Sequence, residues 1–171
     1  PTPGFANNPT SRVVRIAINE WMPDNASTLI DPSDSRFEDW FELVNLGDAA
    51  VDLGQYFLSD DLLDTDKFEI PGGVVIGPKA FMLIWADNDT GANAPGTDLH
   101  VNFSLSKDGD AIGLFARDGS LVDAVTFSTL GPDASAGRWP DGSPNLYPMM
   151  PPTPGNTNAV LLIMAANKDA S

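Results

Sequence analysis

The side chains that offer chemistry are mostly carboxylates. They group as Asp24, then Asp31, Asp34, Glu38 and Asp39, then Asp60, Asp61, Asp64 and Asp66, then Asp87 and Asp89, and finally Asp108 with Asp110. All but Asp39 fall where the pattern predicts loops at strand ends. Ca²⁺ takes about 6–8 hard oxygen ligands, and sandwich loops supply carboxylates and carbonyls together. Asp31, Asp34, Asp60, Asp61, Asp64, Asp87 and Asp89 are therefore the candidate metal ligands, with Ca²⁺ as the expected cofactor. No EF-hand is present: the run from Asp60 to Asp66 lacks the Gly and the distal Glu of that loop. The competing reading is an acidic surface that keeps the protein soluble.

Other reactive types are sparse. His100 is the only histidine. Alternation puts it on the outward side of a strand, and no nucleophile elbow lies near it, so a Ser-His-Asp triad is not expected. A carboxylate pair for glycoside hydrolysis needs a cleft, for which one compact sandwich leaves little chain. The four tryptophans open a carbohydrate-binding reading, because exposed indoles stack on sugar rings. Trp85 sits in the most apolar segment and reads as core. Trp21 and Trp40, on outer faces, and Trp139, in a loop, are the candidate ligand-binding residues.

The elements that must position these groups read as strands. Val14, Ile16 and Ile18 alternate with Arg15, Ala17 and Asn19, a period of two. In the segment Asp39 to Asn45, Phe41 and Leu43 share one face and Trp40 and Glu42 the other. Leu53, Tyr56 and Leu58 mark the next segment. The run from Phe81 to Ala86 is apolar on both faces, which suits a covered strand. Leu99, Val101, Phe103 and Leu105 point inward against His100, Asn102, Ser104 and Ser106. Asp108-Gly109 and Asp118-Gly119 read as type I′ hairpin turns, predicting a meander of strands at 99–105, 111–115 and 121–127. No long helical period interrupts the pattern before residue 158. Strands at this spacing predict an all-β, two-sheet antiparallel sandwich.

Composition sets the remaining bounds. The chain has 171 residues, 9 Lys+Arg, 24 Asp+Glu and no Cys, for a net charge of −15. That length suits one domain. The lack of Cys excludes disulfides, Cys-ligated zinc and thiol catalysis. The charge speaks against nucleic acid and anionic membranes as partners, and no run is long enough for a spanning helix. Pro1-Thr2-Pro3-Gly4 recurs as Pro152-Thr153-Pro154-Gly155, and such segments make stiff connectors. The expected organisation is a linker at 1–11, a sandwich at 12–150, and a Pro-rich linker with an apolar tail at 151–171. The apolar run from Ala159 begins a following module, packs on this one, or packs on a neighbour.

Four segments in order carry a family resemblance: Ile18-Asn19-Glu20, the stretch Asp39 to Asn45, the stretch Leu53 to Asp61, and Ser135-Ala136-Gly137-Arg138-Trp139-Pro140-Asp141-Gly142. Together with the closing Pro-Thr-Pro-Gly they resemble the bacterial lamin-tail (lamin-type immunoglobulin-like) domain family over roughly residues 12 to 156. The resemblance implies an immunoglobulin-like β-sandwich without catalytic residues. It also implies a module of a larger secreted or surface protein, serving as spacer, adhesion or protein-interaction domain. Neighbouring domains and other surface proteins are the expected partners, with glycans as partners under the carbohydrate-binding alternative. The charge sets this chain apart from the DNA contacts associated with nuclear lamin tails.

Overall fold

The computed structural model describes residues 14–160; the segment read as an N-terminal linker and most of the apolar tail lie outside the described residues. Twelve strands follow in chain order: β1 (Ile16–Met22), β2 (Trp40–Asn45), β3 (Val51–Asp52), β4 (Phe57–Ser59), β5 (Phe68–Glu69), β6 (Val75–Ile76), β7 (Phe81–Trp85), β8 (Leu99–His100), β9 (Gly109–Phe115), β10 (Leu121–Ser128), β11 (Ser135–Arg138) and β12 (Leu146–Met149). A six-stranded sheet runs β12-β11-β1-β2-β7-β8. It faces a four-stranded sheet of order β10-β9-β4-β5, and β3 and β6 form a small third ribbon. The core between the large sheets holds Ile16, Ile18, Trp21, Phe41, Leu43 and Ile84 from one, and Leu58, Phe68, Ile112, Leu114 and Val125 from the other. This is the two-sheet sandwich that alternation predicts, in keeping with the immunoglobulin-like form that the family resemblance implies.

One irregularity reorganises the central sheet. Ile18 pairs with Leu43, yet Glu20 pairs with Glu42, so Asn19 is an extra residue in β1. A bulge of this kind shifts the phase of everything beyond it. Ile16 and Ile18 face the core before it, and Trp21 faces the core after it. Asn19 and Glu20 are left together on the outer face. Trp21 is therefore not the outer-face residue that uninterrupted alternation predicts; it is fully buried.

The outer face of the six-stranded sheet is itself covered. Met22, Trp40 and Trp85 form a second apolar cluster beneath Leu29 of the β1–β2 loop. Trp40 thus lies on the face expected of it, with no exposed surface. Further along that face lies the Pro-Thr-Pro-Gly segment, read from the sequence as a connector. Thr153 donates from N and Oγ1 to the Glu20 carboxylate, the Gly155 N–H donates to Glu42, and Asn158 is buried. Residues 153–158 are a strap on this domain.

The meander is the other correction. β9 and β10 form the expected hairpin, but β9's second neighbour is β4. The 99–105 segment instead begins with β8, which runs parallel to β7 in the opposite sheet. At Asp118-Gly119 only the glycine has positive φ, 78°, so the turn is not type I′. Asp108-Gly109 leads from one sheet to the other. Inward Leu99, Val101, Phe103 and Leu105 are all buried as alternation requires.

Arg138 joins the two sheets. Its Nε donates to the Ile18 carbonyl at 2.7 Å, and its Nη2 donates to both oxygens of Asp123 on β10, at 3.0 and 3.1 Å. Asp123 in turn accepts the Ile18 N–H at 2.8 Å.

Candidate functional site

Three segments bring a buried carboxylate pair and the lone imidazole together. Asp31 opens a tight loop closed by the Ile30–Phe37 bridge, in which its N–H donates to the Arg36 carbonyl at 2.8 Å. Asp87 lies just beyond β7. His100 stands on β8 opposite Trp85, so the period of two puts it on the same face as Asp87. His100 Nδ1 is 2.7 Å from Asp87 Oδ2 and 3.7 Å from Asp31 Oδ2. One donor atom from each residue lies within 4.8 Å of the others. The side chains of Asp31, Asp87 and His100 are 0%, 6% and 1% exposed.

A second layer fixes these groups. Ser33 donates to Asp31 from its N–H at 2.7 Å and its Oγ at 2.9 Å. The Asp89 N–H donates to Asp87 Oδ1 at 3.0 Å. His100 and Asn93 exchange two hydrogen bonds through the His100 backbone, each 2.8 Å. Among the described residues, neither buried carboxylate has a Lys or Arg partner; the nearby Arg36 pairs with Asp34. The local field is negative. Burial, followed by the charges of Asp34 and Asp87, holds the Glu38 carboxyl above its ordinary range.

Of the sequence-derived metal candidates, only Asp31 and Asp87 converge. Asp34 pairs with Arg36 and accepts its N–H. Asp60 pairs with Lys67 at 2.5 Å. Asp61 accepts the Leu63 N–H at 2.9 Å, and Asp89 accepts the Gly91 N–H at 3.1 Å. Asp64 is exposed. Asp34, Asp61 and Asp89 are loop-tying carboxylates. His100 points away from the core as alternation predicts, but it is not solvent-facing, because the Asp31 loop closes over it. Nothing in the local pattern of residues 99–106 carries that information.

A second acidic pair lies under the strap. Glu20 and Glu42 are cross-strand partners with no exposed surface. Glu20 accepts from Ser135 Oγ at 2.7 Å and from Thr153 Oγ1 at 2.7 Å. Glu42 accepts from Asn19 Nδ2 at 3.2 Å and from the Gly155 N–H. Burial pushes Glu42 up to about 8, against the pull of those donors, and also raises Glu20. The oxygens that an acid–base pair would turn toward substrate are occupied by the protein's own donors. The strap also explains Gly137. A Cβ there would stand 2.7 Å from the Asn19 carbonyl and 2.6 Å from Asn158 Nδ2. Gly137→Ala should therefore destabilise the domain by about 1–3 kcal/mol, read as a lowered denaturation midpoint.

The tryptophans divide. Trp21 and Trp40 are unavailable to a ligand: the bulge turns the first inward and the β1–β2 loop roofs the second. Trp139 is half-buried and meets Tyr147 edge-on, with ring centroids 6.1 Å apart. Leu146, Tyr147 and Met150 beside it are exposed.

Comparison with known proteins agrees with this architecture. A search of curated proteins finds no match. The profile of the Lamin Tail Domain family matches residues 9–129, from before β1 to the end of β10; β11, β12 and the strap complete the sheet beyond it. The chain belongs to the lamin tail domain family.

Proposed function

We propose that the domain is a non-catalytic module of a larger secreted or surface protein, held to one side of the polypeptide for adhesion or protein interaction. The supporting observation is that the last described segment returns to the first strand: Asn158 Nδ2 donates to the Asn19 carbonyl of β1 at 3.0 Å. At the start, the Arg15 carbonyl accepts the Leu46 N–H at 2.8 Å. The Leu46 side chain lies against Gly142, where a Cβ would stand 2.3 Å from Leu46 Cδ1. The adjoining Asp141 accepts the Asn158 N–H at 2.9 Å. A spacer strung end to end needs its termini far apart. Entry and exit beside β1 leave the end where Met22, Trp40, Trp85 and His100 meet by strand register free to project.

Spin labels at Val14→Cys and Val160→Cys test this in a chain with no native Cys. Their separation should be well below the domain's long dimension of roughly 40 Å; a separation near that length would restore the linear spacer and sink the pendant reading.

The Trp139–Tyr147 pair favours a second reading, an ancillary carbohydrate-binding module, because half-exposed crossed rings suit a sugar face. Under it, glycan-array binding should be lost in Trp139→Ala while the fold is retained. An unchanged or blank array removes it.

A further inference from the structure

We infer that Asp31, Asp87 and His100 form a binding site for a divalent transition-metal ion of the zinc type, at the end of the sandwich where β7 and β8 finish. This inference goes beyond the pendant reading and stands independently of it.

Three observations carry the site. The first is charge. Two carboxylates are buried side by side with no Lys or Arg partner among the described residues, and buried charges are ordinarily paired or coordinate a metal. A single imidazole proton satisfies the 2.7 Å contact to Asp87 and leaves the Asp31 oxygen at 3.7 Å outside hydrogen-bond range.

The second is geometry. Nitrogen and oxygen donors bound to Zn²⁺ at about 2.0–2.2 Å in a tetrahedron lie roughly 3.4 Å from one another. The observed separations of Nδ1 from the two carboxylate oxygens, 2.7 and 3.7 Å, bracket that value. The third is the outer layer. The Ser33 N–H holds Asp31 Oδ1 and the Asp89 N–H holds Asp87 Oδ1, orienting the Oδ2 atoms toward the imidazole, with Ser33 Oγ a further donor to Asp31 Oδ2, as metal-ligating carboxylates are usually hydrogen-bonded.

Donor chemistry selects the metal class. Imidazole nitrogen suits Zn²⁺ and its transition-metal neighbours, whereas Ca²⁺ requires about 6–8 oxygens. The Ca²⁺ expected from the acidic loops is therefore replaced by a softer ion at this site. Three protein donors leave a further coordination position. The 6% exposure of Asp87, against 0% and 1% for its partners, places the approach on its side.

The single histidine makes the test direct. Titrating the untagged domain with Zn²⁺ should shift the ¹⁵Nδ1 resonance of the sole imidazole. It should also raise Tm by roughly 5–10 °C at about a hundredfold excess over Kd. Ca²⁺ at the same concentration should do neither. Asp87→Asn keeps an acceptor for the imidazole and should weaken Zn²⁺ binding more than about tenfold. If that variant unfolds, the wild-type imidazole shift alone decides. An unmoved imidazole under Zn²⁺ overturns the site, whether or not Tm rises, because binding would then be to other carboxylates. An imidazole shift or Tm rise with Ca²⁺ overturns the assigned metal class.

Discussion

Between about pH 5 and pH 8 the domain should lose stability on the order of 4 kcal/mol, and Glu42→Gln should flatten most of that loss. Glu42 is desolvated beneath the strap and crowded by Glu20, and its folded-state pKa is raised to about 8 from an ordinary 4.5. The folded protein therefore binds the Glu42 proton more tightly than the unfolded chain does. The contribution is fully present below the unfolded pKa and disappears as pH rises through the folded one. Asp39, raised mainly by burial to about 6, adds to the same limb.

Asp133 works in the opposite sense. The hydroxyls of Ser27 and Thr28, then the Ser27 and Ala26 N–H groups, hold it down at about 2. Its contribution is present above its ordinary range and is lost as pH falls toward 2. The stability maximum should thus lie in mildly acidic solution. Denaturant melts across this range check the slope, and a ¹³C titration of the Glu42 carboxyl checks its origin. A wild-type curve flat from pH 5 to 8, or a carboxyl midpoint near the ordinary glutamate value, would refute the account.

Arg138→Ala should be among the most damaging single substitutions, costing about 3–5 kcal/mol, because it removes one partner of a largely buried pair and strands the other. Arg138 is 8% exposed and reaches the Ile18, Ser143 and Ala124 carbonyls as well as both oxygens of Asp123. The planar guanidinium serves several acceptors at once, which a lysine ammonium on a flexible stem does not reproduce. Arg138→Lys should recover only part of the loss. In a double-mutant cycle, Asp123→Ala in the Arg138→Ala background should cost less than it does in the wild type. Denaturation midpoints read all of these; a loss below about 1 kcal/mol in Arg138→Ala would show that the bridge does not tie the sheets.

Much of the fold was legible because it rests on local periodicity. Phe41 and Leu43, and Leu99 through Leu105, alternate so regularly that the face turned to the core is fixed. The sandwich follows from having many such segments and no helical period. The register slip at Asn19 was hidden: a bulge is decided by the partner strand, and it alone reverses the facing of Trp21. Lone residues 99–105 likewise carry no information about which sheet they join, so the predicted meander placed β8 beside the wrong neighbour.

The candidate site divides in the same way. The sequence by itself determined an acidic all-β module with carboxylates in its loops, because composition and alternation are properties of the chain read residue by residue. Only the tertiary structure decided that Asp31 and Asp87 meet while Asp60, Asp61 and Asp64 do not. It also decided that His100 is roofed by the Asp31 loop and that Thr153 and Gly155 bind Glu20 and Glu42. Those outcomes depend on segments distant in the chain arriving at the same place, and the free energy of such meetings belongs to the packed sheets, not to any local pattern.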